Sequence, residues 1–490
     1  MELKKILSAL SFYKATATVE NININNIEVD SRHVKADNLF VCIKGFTVDG
    51  HDFVQMAIDN GAVAIIAEKE VASSVPTIIV PDTSRAIAMI AAAFYDFPTK
   101  KLPLIGVTGT NGKTTVTYLL ESIFNQYNKK TGVIGTIQMK IGQQAYPVSN
   151  TTPDALFLQK TFQQMLDEGV STGIMEVSSH ALDLGRVYGC DFDIAVFTNL
   201  SQDHLDYHKD MADYVRAKSL LFAQLGNTYT TDKKKYAIIN IDDPEHDLLK
   251  RSTAQHVLTY GCENQAQVMA ENIELDASST NFLLTTPVGS IKITSKLIGK
   301  FNVYNMLAAS AAAIASKIPL TVIKEAFENI AGVSGRFEPV AIEEPFATIV
   351  DYAHTPDSLD NILQTIKGFA KKKVYVVVGC GGDRDKTKRP LMSEIALKYA
   401  DHAIFTSDNP RTEDPQAILD DMINGLNKDE FDVIIDRKEA IFHAIELAKK
   451  DDIILIAGKG HETYQQIGQI KYEFDDRKIA LEAIKVKENR

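Results

Sequence analysis

Between Leu104 and Thr115 a short apolar run, LIGVT, passes directly into a glycine-rich turn that ends in Lys113, Thr114 and Thr115. A strand that feeds such a turn and then a helix leaves backbone N–H groups free to hold phosphate oxygens. The following TVTYLLESIF reads as that helix. Lys113 then supplies a point charge to the β- and γ-phosphates and Thr114 a hydroxyl to Mg²⁺. The spacing is a variant one. Val107 stands where GxxxxGK[ST] has its first glycine, Gly106 comes one residue early and Gly109 two late. An ordinary glycine turn with a chance GKT is the bland alternative, and the strand before it and the helix after it argue against that.

A chain of 490 residues exceeds the size at which one core stops growing, so two to four domains are expected. The formal net charge of −12 argues against a general nucleic-acid binder but leaves room for local basic pockets. Cys42, Cys190, Cys262 and Cys380 lie far apart with no CxxC or metal spacing, so reduced structural thiols are expected. The N-terminal MELKKILSALSFY has no convincing signal-peptide core or cleavage site, and nowhere do 18 apolar residues run together. A soluble cytoplasmic protein without membrane insertion is the expectation.

The pattern predicts an α/β chain of three domains. Strand-like NLFVCI, AVAIIA and PTIIV with a helix over 52–60 make a small N-terminal domain, residues 1–98, ended by FYDFPTKKLP. A central nucleotide-binding domain, residues 99–334, carries LIGVTG, TGIMEVS, IAVFTNL and KYAIIN on a mostly parallel sheet. Period-two alternation predicts a β-rich insertion over 257–297, and a helix is predicted over 302–318. After VSGRFEPV the strand–loop pattern restarts, giving a doubly wound, Rossmann-like C-terminal domain over residues 335–490.

Candidate chemical groups fall at the ends of these strands. Glu176, Ser178, Ser179 and His180 close MEVSSH, and Asp203, His204, Asp206 and His208 follow IAVFTNL. Glu176 and His204 are candidate ligands for a hard cation whose remaining positions are phosphate and water oxygens. Lys218, on the helix pattern YVRAKSLLF, reads from composition alone as a surface lysine. In the last third, Arg384, Lys386, Lys388 and Arg389 sit beside a glycine turn, TSDNPR adds Asp408, Asn409, Pro410 and Arg411, and AGKGHE adds Gly458, Lys459, His461 and Glu462. Guanidinium groups with nearby carboxylates suit an amphoteric small molecule. Asn302, Asn305, Arg336, Asp351, Tyr352 and His354 stand at the junction of the second and third domains, where a nucleotide could couple its binding to closure.

These motifs, TGTNGKTT, NTTP, EVSSHAL, TNLSQDHLDYH, AKSLLF, GRFE, DYAHTPDSL, GCGGDRDKTKRP, SDNPR and AGKGHE, resemble the Mur ligase family along the whole chain. The resemblance implies that Gly109, Thr110, Asn111, Gly112, Lys113, Thr114 and Thr115 form the ATP loop and that Asn302, Arg336 and Asp351 contact the nucleotide. Metal-binding positions match Thr114, Glu176, His204 and Lys218, the last carbamylated in the family. Catalysis by this match rests on Lys113, Glu176, His204 and Lys218. Ser31, Thr151, Thr152, Ser178 and Arg186 match contacts to the UDP-linked substrate.

The same resemblance implies a reaction in which ATP, with Mg²⁺, phosphorylates the D-glutamate γ-carboxylate of UDP-N-acetylmuramoyl-L-alanyl-D-glutamate and an amino acid amine captures the acyl phosphate. Arg384, Asp408, Asn409, Pro410, Arg411, Gly458 and Glu462 match the amino-acid pocket, and DNPR points to meso-diaminopimelate. The alternative in the same class is the L-lysine-adding ligase; the folylpolyglutamate synthetases share the architecture but are disfavoured by GGDRD and DNPR. A nucleotide-dependent switch without ligase activity would need the P-loop alone. A monomer is expected.

Overall fold

The computed structural model describes residues 1–45, 48–148, 150–229, 234–275, 279–341, 345–427 and 430–488. Three successive parallel-dominated sheets organise the chain, each with its own buried cores. In the first, Asn26–Glu28, Asn38–Val41, Ala62–Ala67 and Thr77–Ile79 pair in parallel and Lys14–Ala15 adds an antiparallel edge. The helix Thr83–Phe94 covers this sheet and, through the Arg85 guanidinium 5.0 Å above the Tyr188 ring, touches the central domain.

The second sheet has eleven strands. Its middle is parallel: Leu104–Thr108 lies between Thr172–Glu176 and Ile194–Phe197, with Tyr236–Asn240 and His256–Gly261 following outward. Leu104–Thr108 is buried on both faces, as a central parallel strand must be, and this explains its continuous apolar run. The carboxyl ends of these parallel strands therefore open on one edge.

The segment over 257–297 is not a separate insertion. Val268–Leu275 pairs in parallel with His256–Gly261, and Thr280–Thr286 and Gly289–Ser295 add antiparallel strands, so the sheet simply continues; residues 276–278 lie outside the described residues. Its period-two pattern has a physical cause: alternate side chains such as Phe282, Leu284 and Ile293 join the same core as the alanine-rich helix Lys300–Ala315. That helix starts and ends earlier than the sequence pattern suggests. Gly299 (φ 101°) opens it, and Lys317, left-handed at φ 62°, closes it as the Ile318 N–H reaches the Ala313 carbonyl at 3.0 Å.

The third sheet runs Glu338–Ala341, Ala347–Asp351, Ile453–Ala457, Val374–Val378, His402–Phe405 and Phe431–Val433, all parallel except the first. Beside it stands a small hairpin, Tyr464–Ile467 with Ile470–Glu473. The four cysteines are free thiols. Among the described residues no helix is long and apolar enough to cross a membrane.

Candidate active site between the second and third domains

The glycine turn after Leu104–Thr108 is built so that only glycine fits. At Gly112 (φ 86°) a Cβ would come within 2.3 Å of Asn305 Oδ1, and at Gly109 (φ 148°) within 1.8 Å of Thr198 Oγ1. Gly112 caps the helix Lys113–Gln126 with no side-chain cap, so the first N–H groups of that helix lack intrahelical partners. Lys113 Nζ folds back onto the carbonyls of Gly109 (2.8 Å) and Thr110 (2.7 Å). Burial pushes its ammonium below the ordinary lysine range, Glu176 and Asp203 oppose this, and the Arg336 charge adds to it.

Lys218 is not a surface lysine. It is 1% exposed on the helix Met211–Ala223, donates to the Gly109 carbonyl at 2.8 Å and stands 4.2 Å from the Tyr214 ring centroid. Burial first, and then repulsion from Lys113, lower its pKa well below the ordinary value. Among the described residues no carboxylate lies within ion-pair distance of either lysine.

Glu176, at the end of Thr172–Glu176, accepts from Thr114 Oγ1 (3.1 Å), the Thr136 N–H (2.8 Å) and Thr136 Oγ1 (2.9 Å). Thr136 had no motif to announce it; its signal is only a hydroxyl two residues beyond the strand Thr131–Ile134. Burial drops the His204 imidazole to about 3 against the opposing charge of Asp203, so it is a neutral nitrogen donor near neutrality. Glu176, His204 and the Thr114 hydroxyl line one cavity of 300 Å³ with Lys113 and Lys218. Among the described residues no three His, Cys, Asp or Glu side chains form a ready metal cage. Two protein donors and a hydroxyl fit a magnesium that keeps waters and phosphate oxygens in its shell.

Thr151, Thr152, Ser178 and Arg186 line the same cavity. Thr152 Oγ1 donates to the Glu176 carbonyl at 2.9 Å and accepts from the Ser178 N–H at 3.0 Å, while Arg186 donates to the Thr152 carbonyl at 3.0 Å. Ser31 lies apart in the N-terminal domain, its Oγ 3.3 Å from Met56 Sδ, and lines neither site cavity.

A second cavity of 530 Å³ adjoins the first through Asn111, Gly112 and Arg336. Arg336 donates through Nη2 to Thr114 Oγ1 at 3.1 Å, stacks 4.6 Å from the Tyr352 ring and leaves a buried Nε without a partner. Asp351 accepts from the Phe337 N–H at 2.6 Å and lines this cavity. Asn302 faces away: its amide donates to the Ile298 carbonyl at 2.9 Å and it lines a separate cavity with Ile298 and Phe337, whereas Asn305 lines the 530 Å³ cavity.

In the C-terminal domain Asp408, Asn409, Arg411, Gly458 and Glu462 come together. Asn409 donates to Glu462 Oε2 at 2.8 Å, and its Oδ1 accepts from fully buried Lys459 (3.0 Å) and from the Gln466 N–H (2.8 Å). A Cβ on Gly458 would sit 2.8 Å from Asp408 Oδ2. Burial would raise the Asp408 carboxyl, but Lys459 and Arg437 outweigh it and hold it low; burial and the Asp408 charge push Glu462 up. Arg411 is left-handed (φ 51°) and locked to the hairpin, its N–H on the Gln466 carbonyl at 3.1 Å. Its Nη1 donates to the Gly382 carbonyl at 2.7 Å, and among the described residues no carboxylate pairs with it. Pro410 closes the same loop, its carbonyl accepting from the Glu413 N–H at 3.0 Å. Arg384 and Arg411 flank Gly381, and Arg384 reaches the 300 Å³ cavity.

Three of the basic groups of GCGGDRDKTKRP do not serve that pocket. Buried Arg389 pairs with Glu413 (2.9 Å) and Asp421 (2.7 Å), Lys386 pairs with Glu413 (2.9 Å), and Lys388 turns toward Asp203 of the central domain at 3.5 Å. Gln466 had no signal in the sequence, because it acts through its backbone.

Three family models match the chain: "Mur ligase family, catalytic domain" over residues 23–95, "Mur ligase middle domain" over 107–313 and "Mur ligase, glutamate ligase domain" over 335–460. The chain is 65% identical to the UDP-N-acetylmuramoyl-L-alanyl-D-glutamate–2,6-diaminopimelate ligase of Oceanobacillus iheyensis, over 99% of this chain and 100% of that one. This chain belongs to the Mur ligase family. It is 56% identical to the ligase of the same name from Bacillus cereus, over 99% and 98% of the two chains. A solved structure titled with that ligase name superposes with a TM-score of 0.71 at 34% identity, covering 99% of each chain. This Mur ligase thus shares both fold and full length with these relatives.

Proposed function

We propose that this Mur ligase joins meso-2,6-diaminopimelate to the D-glutamate γ-carboxylate of UDP-N-acetylmuramoyl-L-alanyl-D-glutamate at the expense of ATP, in cytoplasmic synthesis of peptidoglycan precursors. The observation that carries this reading is a pair of unlike receptors that meet at Arg384: an anion site whose lysines have no carboxylate of their own, and a pocket where the unpaired guanidinium groups of Arg384 and Arg411 stand near the Asp408 and Glu462 carboxylates. Residues 1–98 and the Ser31 region receive the UDP end, 99–334 the nucleotide, and 335–490 the amino acid.

The β- and γ-phosphates lie on the Gly109–Thr115 turn, with Lys113 and the free Arg336 Nε on their oxygens and Asp351 toward the ribose. Asn305, rather than Asn302, supplies the amide on the nucleotide side. Thr114, Glu176, His204 and, once carbamylated, Lys218 would hold Mg²⁺, which when bound would supply positive charge beside the phosphate oxygens. A depressed lysine pKa favours the free amine that carbamylation requires, and Lys218 has one.

Thr151, Thr152, Ser178 and Arg186 present the glutamate carboxylate. Its oxygen attacks the γ-phosphorus, the β,γ-bridging P–O bond breaks and ADP leaves. The diaminopimelate amine then attacks the acyl carbon, phosphate departs, and the amine proton is lost to the medium. Arg411 binds the distal carboxylate and Asp408, Asn409, Glu462 and the Gly458 turn its ammonium end, with Arg384 at the cavity mouth.

The test is stoichiometric. ADP release is expected only when the UDP-muramoyl dipeptide and the amino acid are both present, with meso-diaminopimelate used well ahead of L-lysine. Full nucleotide turnover without the dipeptide, or no new amide bond with all reactants present, overturns the reading.

A further inference from the structure

We infer that Lys388 is a positioning residue that registers closure of the C-terminal domain through Asp203, so that the metal-side loop and the amino-acid loop assemble together. The inference rests on the reading above only in placing chemistry between these two domains.

Asp203 follows the strand Ile194–Phe197 in the loop that carries His204, and it is 5% exposed. Its Oδ1 accepts from the His204 N–H at 2.9 Å and lies 3.5 Å from Lys388 Nζ; its Oδ2 lies 3.4 Å from His204 Nε2 and 3.8 Å from His354 Nε2. One carboxylate of the central domain is therefore shared between its own neighbour and two groups of the next domain. The hydrogen bond has local work to do, because His204 is held left-handed at φ 58°.

Lys388 is also 5% exposed, and Asp203 is its only carboxylate partner among the described residues. It does not line the 300 Å³ cavity, so it acts on substrate only through others. Its neighbours extend the seam: Gln202 Nε2 donates to Thr387 Oγ1 at 2.9 Å, and Asn111 of the phosphate turn donates to Asp357 Oδ2 at 2.8 Å. The next residue, Arg389, pairs with Glu413 two positions beyond Arg411. One helix start, Thr387–Arg389, thus holds the His204 loop on one side and the Arg411 loop on the other.

The two domains have separate cores, so relative motion is the default expectation. A buried ion pair across such a seam gains little net energy, since desolvation offsets attraction, but it penalises misregister when one partner is left unpaired. Lys388 is thereby suited to set register rather than to glue the domains.

The experiment compares Lys388→Met, Lys388→Gln and Lys388→Arg in the full chain. Closure is read by energy transfer between dyes on the central and C-terminal domains, with a non-hydrolysable ATP analogue, Mg²⁺ and the UDP-muramoyl dipeptide. Thermal midpoint and steady-state kinetics are measured alongside. For Lys388→Met and Lys388→Gln the closed fraction falls, and kcat drops by up to about 100-fold with the KM for meso-diaminopimelate nearly unchanged. Lys388→Arg restores both. Adding Asp203→Asn to Lys388→Met costs closure little more, because the pair is already broken.

Wild-type closure in both neutral variants, or a loss confined to that KM, overturns the inference, as does equal damage from Lys388→Arg. The dye readout needs no turnover. A chain that closes through Lys388 yet makes no amide bond would sink the ligase reading and leave this inference standing.

Discussion

At the carboxyl edge of the central sheet, Lys113 and Lys218 turn their ammonium groups onto backbone carbonyls, whereas at the corresponding edge of the C-terminal sheet Lys459, Arg389 and Arg437 are each matched to carboxylates. Arg437 and Asp476 form a fully buried bidentate pair at 2.9 and 2.7 Å. The difference separates two uses of charge. In the C-terminal domain most charges neutralise one another and shape a pocket, leaving Arg384 and Arg411 free to read a ligand. At the central edge Lys113 and Lys218 have no carboxylate within ion-pair distance among the described residues, which destabilises the empty site, favours an anion against Lys113 and favours the neutral amine at Lys218.

Neutralising a cation on each side should therefore break different things. Lys113→Met is expected to lower kcat by about 10³-fold or more, the scale of a lost transition-state charge contact, with no loss of thermal stability. Rapid-quench ADP formation checks it, and a loss under tenfold would remove Lys113 from the phosphoryl-transfer machinery. Asp476→Ala should leave the Arg437 guanidinium buried and alone, costing about 3–5 kcal/mol in denaturant melts while the nucleotide affinity of the folded fraction holds. Arg411→Ala comes next: kcat/KM for meso-diaminopimelate should fall by about 100-fold and that for L-lysine far less. Equal losses with both amino acids would make Arg411 a scaffold for the loop rather than a reader of the second carboxylate.

The same asymmetry decides what could be read in the sequence. The fully buried strand Leu104–Thr108 and the glycine turn after it are legible because parallel-sheet burial and backbone approach to phosphate each demand particular residues. Glu176 and His204 are legible as polar residues at the ends of apolar runs. Lys218 is not, because one helix face lies against the phosphate turn 109 residues earlier in the chain, and no local pattern encodes that packing. For the same reason Asn302 and Asn305, three residues apart on one helix, face different cavities. Arg389 and Arg384 share a motif yet differ in role because Glu413 and Asp421 arrive from a later helix and loop. The hairpin that fixes Asn409 and Arg411 works through main-chain groups, which carry no residue signature.

Lys218 gives the smallest shift in stability and the sharpest test of the contrast. If its charge is held against the folding preference of the site, Lys218→Met should raise the thermal midpoint of the ligand-free protein by about 2–4 °C, measured in CO₂-depleted buffer near pH 7, while ligation is lost. The pH dependence follows from the lowered pKa. Between the folded value and the ordinary lysine value of about 10.4, the unfolded chain binds more protons than the folded one. Wild-type stability should then rise with pH across that window relative to the variant, and the gap should narrow. Bicarbonate should narrow it near neutrality too, by converting the buried amine to a carboxylate in the wild type alone. A variant less stable than wild type under CO₂ depletion would mean that Lys218 supports the fold, and the contrast between the two sheet edges would fail at its centre.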